Sequence, residues 1–399
     1  LSVSAEWINE HLSYKWRLNN NHLLLELIGL TIIGVVSEWH KSSSKWKNNG
    51  LRMLSSEIKK QTIAGRNWEP TTSYHKFVTE SLLVLVHHLE NWDGNQADKR
   101  IILETTEEYL DSLFWMCDSR HRIPLVGDDD AAVVAPRRRE NDARDCRTVF
   151  SLAGKLGFVT DSYRDGVKIW EGHGMATIKT EDWLIHAVSG APVGKARQGS
   201  HRHLDMLSVS VNIAGEDVIL DSGTGLYFGS PEWRDYFRKE SSHSGIKSSE
   251  MEWGDIGDLF EIPKPATGEC SEHHGKLIIF ANHPSGIKQS REIAMQDNQL
   301  IIRDDLQLKG PIISFIFPRK PEISVSNESA QIVGEGWKMI HSGASFSVEE
   351  ICGFCSPDNC APGTGISLIS PSYGIFQSSY RVDFLHTEGN LAITTIERA

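Results

Sequence analysis

Near Gly157 the hydrophobic pattern of this 399-residue chain changes period, and that change restricts the folds open to it more than any other feature. Upstream, apolar residues recur at helical spacing. Leu23, Leu24, Leu27, Ile28 and the run 30–36 predict a buried helix, while Leu51, Leu54 and Ile58 mark one face of an amphipathic helix over 46–63. A turn at Ala64-Gly65-Arg66 precedes Pro70 and Thr71, which open a third helix. Two more are predicted at about 100–117 and 143–155, and helices so spaced suit stacked helical hairpins. Downstream, short alternating runs such as VKIW, MATIKT, LSVSVNI, KLIIFA and LAITTIE are separated by turn residues, the pattern of an antiparallel sandwich. The chain therefore reads as a helical part over 1–158 and an antiparallel β-sandwich over 159–399, and a cleft between two such parts is a natural ligand site.

No apolar run reaches the ~20 residues of a membrane helix; the stretch 23–36 is interrupted by Glu26. The net charge of −12 argues against non-specific nucleic-acid binding but leaves room for a locally basic cleft. Arg137, Arg138 and Arg139 fit such a cleft or a solvated face. Asp128, Asp129 and Asp130 read as exposed charges on a loop. Among six cysteines, Cys352, Cys355 and Cys360 lie in CGFCSPDNC, which without a second Cys-x-x-C reads as a loop with a local disulfide rather than a zinc ribbon. No signal peptide is visible, and the first residues read as the middle of a helical region.

Chemistry-bearing residues concentrate between Gly199 and His243. In extended chain, His201, His203 and Asp205 project to one side. Asp221 ends the apolar run VILD, and His243 follows a basic turn. Three imidazoles and a carboxylate make a zinc-like ligand set. A hairpin turning at Ala214-Gly215-Glu216 sets Asp221 opposite about Ser210, so the set closes only if 201–205 bends back before a strand beginning near Met206. Arg202, Arg234, Arg238 and Lys239 give the stretch a positive collar suited to an acidic substrate. Arg234 and Arg238, four residues apart, either grip substrate carboxylates or pair with Glu232, Asp235 and Glu240. Trp68 and Trp233 either stack on sugar rings or fill cores.

GSHRHLDMLSVSVNIAGEDVILDSGTGLY resembles the His-x-His-x-Asp…Asp-x-Gly-Thr signature of the heparinase II/III-like polysaccharide lyases. PEWRDYFRKESSH resembles the same signature's Arg-x-x-x-Arg and following His, NNNHLLLELIGL its Asn-Asn-His helix, and WEPTTSYHKF its Glu-x-Ser-x-x-Tyr-His segment. These segments fall in order over roughly 15–245. Two departures stand out: His243 is followed by Ser244 rather than Asn, and less helix precedes the Asn-Asn-His segment than the family generally has. The resemblance implies an incomplete (α/α) toroid followed by an antiparallel β-sandwich, in a periplasmic or secreted enzyme. It also implies a carbon–oxygen lyase, with an anionic, uronic-acid-containing polysaccharide bound between the two parts.

The implied reaction is β-elimination. A base removes the C5 proton of a uronic acid, α to a carboxylate whose charge must first be neutralised. Asn21 and His22 match the family positions for that task, although an Asn-rich helix start also serves as a cap. Tyr74 matches the catalytic tyrosine, which beside cationic groups takes the proton and returns one to the leaving oxygen; on its own it would read as a packed aromatic. His201 matches a second catalytic position, as base for the opposite C5 configuration or as a carboxylate contact. A structural metal, zinc by its ligands, then falls to His203, Asp221 and His243, with Asp205 holding one imidazole's tautomer. Arg202, Tyr227, Arg234 and Arg238 are the implied substrate contacts. Two rival readings remain: a zinc-dependent glycan hydrolase with Asp205 as general base, and a non-catalytic polysaccharide-binding protein.

Overall fold

The computed structural model describes residues 1–399 apart from 17–18, 93, 135–142, 160–163, 191–200, 356–360 and 364. Arg137, Arg138, Arg139, Gly199 and Cys360 thus lie outside the described residues. Among the described residues, six α-helices and a single 3-10 turn (Ser13–Trp16) form the first part: α1 (Ser2–Glu10), α2 (Asn21–Val36), α3 (Ser43–Lys60), α4 (Thr72–Leu89), α5 (Gln96–Met116) and α6 (Arg147–Lys155). The run 23–36 becomes the buried α2 because Leu23, Leu24, Leu27 and Ile28 meet Leu51, Leu54 and Ile58 of α3 and Val78, Leu82 and Leu85 of α4. Side-chain caps set the starts. Asn20 accepts from His22 N at 3.2 Å and Thr71 from Tyr74 N at 3.0 Å, so the segments later found at the site begin helices. α3 stops at Lys60, short of the expected Ile63. Thr62–Ile63 instead pairs with Arg66–Asn67 through Ala64 and Gly65, both with positive φ, as a tight hairpin turn requires.

From Gly166 onward the described strands pair antiparallel, in keeping with the alternating runs. Gly166–Trp170, Met175–Lys179, Trp183–Val188, Ser208–Ile213 and Glu216–Ile219 form a five-stranded meander. An eight-stranded and a four-stranded sheet pack with it around one core that includes Ile185, Val209, Leu277, Ile302, Phe315 and Phe384. Strands that escaped the hydrophobic pattern include Thr267–His273, Lys288–Gln296 and Ser329–Gly334. In the second of these an inward position is Arg291, fully buried and held by Asp304 at 2.7 and 3.0 Å, so a charge stands where the period demands an apolar side chain. A short helix, α7 (Pro231–Arg238), follows the meander, and its Trp233 packs with Tyr236, Phe237 and Leu368 as core.

The helical part docks on the meander. Leu83, Leu110 and Leu113 pack against Trp170, Met175 and Val188. Lys179 reaches across to donate to the carbonyls of Phe114 and Cys117 at the end of α5, a favourable place for a cation. Arg66, wholly buried, donates to Thr71 O at 2.8 Å and lies over the Trp170 ring. Cys355 is disulfide-bonded, whereas Cys352 is an exposed free thiol.

This packing leaves His75, His173, His186, His341 and His386 buried, and burial pulls each imidazole down, His186 to about 3 and His386 to about 4. An unfolded histidine titrates near ~6.5 and so binds more protons than the folded one below that pH. Stability is therefore present above pH ~6.5 and is lost as the pH falls toward 4, each histidine steepening the dependence by up to about 1.4 kcal/mol per pH unit. Melting temperatures are expected to fall between pH 7 and 5, with a shallower slope in His186→Gln; identical slopes would remove His186 from the account.

Candidate active site and metal centre

Asp128 lies at the centre of the site. The apolar run Ile123 to Val126 carries the chain into the interface between helices and sheets, where Ile123 and Val126 join the docking core. Gly127 then turns with φ +65°, and a Cβ on it would stand 2.6 Å from His201 O, so only glycine permits this approach. The next amide, Asp128 N, donates to that same carbonyl at 2.9 Å. The Asp128 carboxylate is fully buried. Its Oδ2 faces His201 Nδ1 at 3.1 Å, its Oδ1 faces His203 Nε2 at 2.9 Å, and the Arg234 guanidinium donates to both oxygens. Burial alone pushes this carboxyl up, but the Arg234 charge and the hydrogen bonds from the two histidines hold it well below the usual range. The expectation of exposed loop charges is thus corrected for two of the three acids. Asp129 is buried too, accepting from Ser73 Oγ at 2.6 Å and Ala131 N at 2.7 Å, and only Asp130 is exposed.

Residues 201–207 are not a strand. His201 and Leu207 both have positive φ, Ser208 N donates to Asp205 O at 3.1 Å, and pairing starts only at Ser208. The bend required for ligand closure is therefore present. It turns His201 and His203 onto the same carboxylate, while Asp205, buried within reach of the His243, Asp221 and His203 charges, leaves Oδ1 without a hydrogen-bond partner among the described residues, so the imidazole-holding role expected of it falls to Asp128.

His203, Asp221 and His243 bring one ligand atom each within 4.8 Å of one another, and all three are buried. His243 Nδ1 lies 2.6 Å from Asp221 Oδ2, and Asp221 Oδ1 accepts from Gly223 N. Among the described residues, His203 Nδ1 and His243 Nε2 are buried without a partner. Such orphaned nitrogens are costly unless a cation takes their lone pairs, so the residues present fit a metal ion. An ion held there would tie together the loop at 201–207, the end of the meander and the segment after α7.

Tyr74, in the first turn of α4, packs its ring on His201 with centroids 4.4 Å apart. Its hydroxyl lies 3.2 Å from Tyr227 Oη and 3.5 Å from Asp130 Oδ2. Burial and the Asp130 charge raise its pKa, with only the Tyr227 hydroxyl opposing them strongly, so the resting group is a protonated phenol. The cationic surroundings expected for this tyrosine are absent from its described contacts. Burial lowers the His201 imidazole, but the Asp128 hydrogen bond and charge outweigh it and raise the pKa overall. Asn21, buried at the start of α2, points Nδ2 at Glu69 Oε1 at 3.5 Å, and the Glu69 charge is felt by both Tyr74 and His201. His22, one residue on, is exposed, and no hydrogen bond from its side chain to a described residue is seen.

A Heparinase II/III-like, C-terminal family model matches residues 173–375, and a Heparinase II/III N-terminus model matches residues 3–130. This chain belongs to the heparinase II/III-like family. It is similar to a heparin-sulfate lyase of Pedobacter heparinus, 22% identical over 299 residues that make up 68% of this chain and 44% of that protein. Among solved structures, it superposes on a heparinase III with TM-score 0.74 at 16% identity, covering 99% of this chain and 61% of the other. A heparan sulfate lyase from Pedobacter heparinus gives TM-score 0.69 at 14% identity, covering 99% and 62%. The chain therefore spans less than two thirds of the length of these relatives, and the likeness to solved structures shows the fold.

In this heparinase II/III-like chain the arginines of the sequence motif are enclosed. Arg234 donates to Asp128 and to Leu259 O and lies over the Tyr227 ring at 5.0 Å. Arg238 donates to Asp235 and to four carbonyls of the 257–261 loop. Arg202 donates to Gly190 O and His173 O. All three are at most 3% exposed, which places them as braces of the loops; among the four collar residues only Lys239 is exposed. Tyr227 contributes its hydroxyl to Tyr74 and its amide to Tyr373 Oη at 3.1 Å. Asp128 and Glu69 are the site residues to which sequence reasoning assigned no role. Asp128 had a usable signal: it ends the apolar run IPLVG as Asp221 ends VIL.

Proposed function

We propose that this chain is the catalytic core of a polysaccharide lyase acting on a uronic-acid-containing anionic polysaccharide. The observation that carries the reading is the Tyr74 ring and the His201 imidazole, brought from helical part and sandwich to lie ring against ring at one spot, while Asn21 donates to Glu69, whose charge both groups feel. His201 presents Nδ1 to Asp128, which leaves Nε2 to take a proton. In the proposed step His201 Nε2 removes the C5 proton, and the Asn21 amide stabilises the charge that builds on the sugar carboxylate. The electron pair forms the C4–C5 double bond as the C4–oxygen bond breaks, and the Tyr74 hydroxyl gives its proton to the leaving oxygen. Water is not consumed.

The metal in this reading is zinc, held by His203, Asp221 and His243, and its chemistry is to order the loops that carry His201. Its ligands are at most 5% exposed, which favours a structural role over the metal-bound water a hydrolase needs at its substrate. A chelator is expected to lower the melting temperature by several degrees, and zinc to restore it, since a ligand at ~1,000 times its dissociation constant contributes about 4 kcal/mol. No thermal response to chelator or zinc would remove the ion. A disulfide-bonded Cys355 supports an oxidising compartment, periplasmic or extracellular.

A cavity of about 690 Å³ beside α5 is lined by Glu104, Glu107, Glu108 and Asp111, the wrong charge for a polyanion despite Arg164 and Lys168. The lyase reading is tested on a panel of uronic-acid polysaccharides, heparin-like, alginate and hyaluronan-like, by the ultraviolet absorbance of the unsaturated product. Reducing ends appearing without that absorbance would mean hydrolysis, and binding without either would mean a non-catalytic protein.

A further inference from the structure

We infer that Asp128 is a positioning residue that sets the tautomers of two imidazoles at once, one for the metal and one for the substrate. A neutral imidazole has one N–H, and whichever nitrogen donates to a carboxylate leaves the other with a free lone pair. His203 turns Nε2 to Asp128 Oδ1 at 2.9 Å, so its lone pair is on Nδ1, the buried atom without a described partner in the His203–Asp221–His243 group. His201 turns Nδ1 to Asp128 Oδ2 at 3.1 Å, so its lone pair is on Nε2, on the ring that packs against Tyr74. The two histidines are two residues apart and use opposite nitrogens on opposite oxygens of one carboxylate.

The rest of the surroundings keep that carboxylate in place. Arg234 bridges both oxygens from α7, and the Asp128 amide is tied to His201 O, so the group that orients the ring is also fixed to its backbone. The metal centre and the reacting imidazole thus share one support. Loosening it is expected to weaken metal binding and to misorient His201 together, although Asp128 is fully buried and stands outside the His203–Asp221–His243 group. The half concerning His201 rests on the lyase reading; the half concerning His203 does not.

Two measurements test this. In Asp128→Asn the amide nitrogen can no longer accept from one imidazole, and zinc affinity, measured by competition with a chromophoric chelator, is expected to fall about 10–100-fold. Turnover of the zinc-saturated variant on a uronic-acid polysaccharide is expected to fall as well, with KM little changed. Wild-type zinc affinity in a folded Asp128→Asn protein would overturn the proposal. Because that substitution leaves Arg234 without its carboxylate, folding of the variant is not assured. The second measurement therefore uses the wild-type zinc-loaded protein labelled with ¹⁵N-histidine. The proposal expects His203 protonated at Nε2 and His201 at Nδ1, and the reverse assignment at His203 overturns it. Both results as expected, with no polysaccharide cleaved, would sink the lyase reading while leaving the role at the metal centre standing.

Discussion

Tyr74→Phe is expected to lower turnover about 10²–10⁴-fold, the usual worth of a positioned acid or base, with KM little changed. The phenol is buried beside Asp130 and shares a hydrogen bond with Tyr227, so it holds its proton at rest and is suited to deliver it to a leaving oxygen. Removing the hydroxyl leaves the ring packed on His201 and keeps the backbone amide on Thr71, so binding surface and helix start persist. The lost hydrogen bond is worth about 1 kcal/mol of stability, far less than the expected loss of rate. Product absorbance gives the rate and calorimetric titration with uncleaved polymer gives the binding. Turnover within a factor of a few of wild type would remove Tyr74 from the chemistry.

Arg234→Met separates the two readings left open for the motif arginines. A side chain gripping substrate would, when lost, raise KM and leave melting unchanged. Here Arg234 is 1% exposed and bridges a carboxylate that is wholly buried, so its removal strands Asp128 with only imidazole partners. Breaking a buried pair from one side costs about 3–5 kcal/mol, and a melting drop of several degrees is expected. The double change Arg234→Met with Asp128→Asn is expected to cost less than the sum of the two, since the second removes the charge the first exposes. A normal melting temperature with raised KM would restore Arg234 as a substrate contact.

Much of the fold is legible in the chain. Period 3.6 in 23–60 and period two beyond Gly157 follow from which faces must be apolar, and those demands are local. The missed strand Lys288–Gln296 shows the limit: a buried Arg291 satisfied by Asp304 on the neighbouring strand breaks the period, and nothing within the strand announces the partner. The metal triad was likewise readable as residue types, His203, Asp221 and His243. Its closure depended on a backbone bend at 201–207, which positive φ at His201 and Leu207 supplies and no residue preference demands.

What residue order alone determined is therefore the class of the two halves and the kinds of side chain available to the site. Only tertiary structure decided which charges are solvated and which are enclosed. In the sequence Asp128 reads as an exposed loop charge, and Arg234 and Arg238 as a collar for substrate carboxylates or for neighbouring acids; in the fold all three are enclosed. They are buried because a charge can leave water when an opposite charge and hydrogen-bond donors or acceptors arrive from distant segments, here α7, the 257–261 loop and the bend at His201.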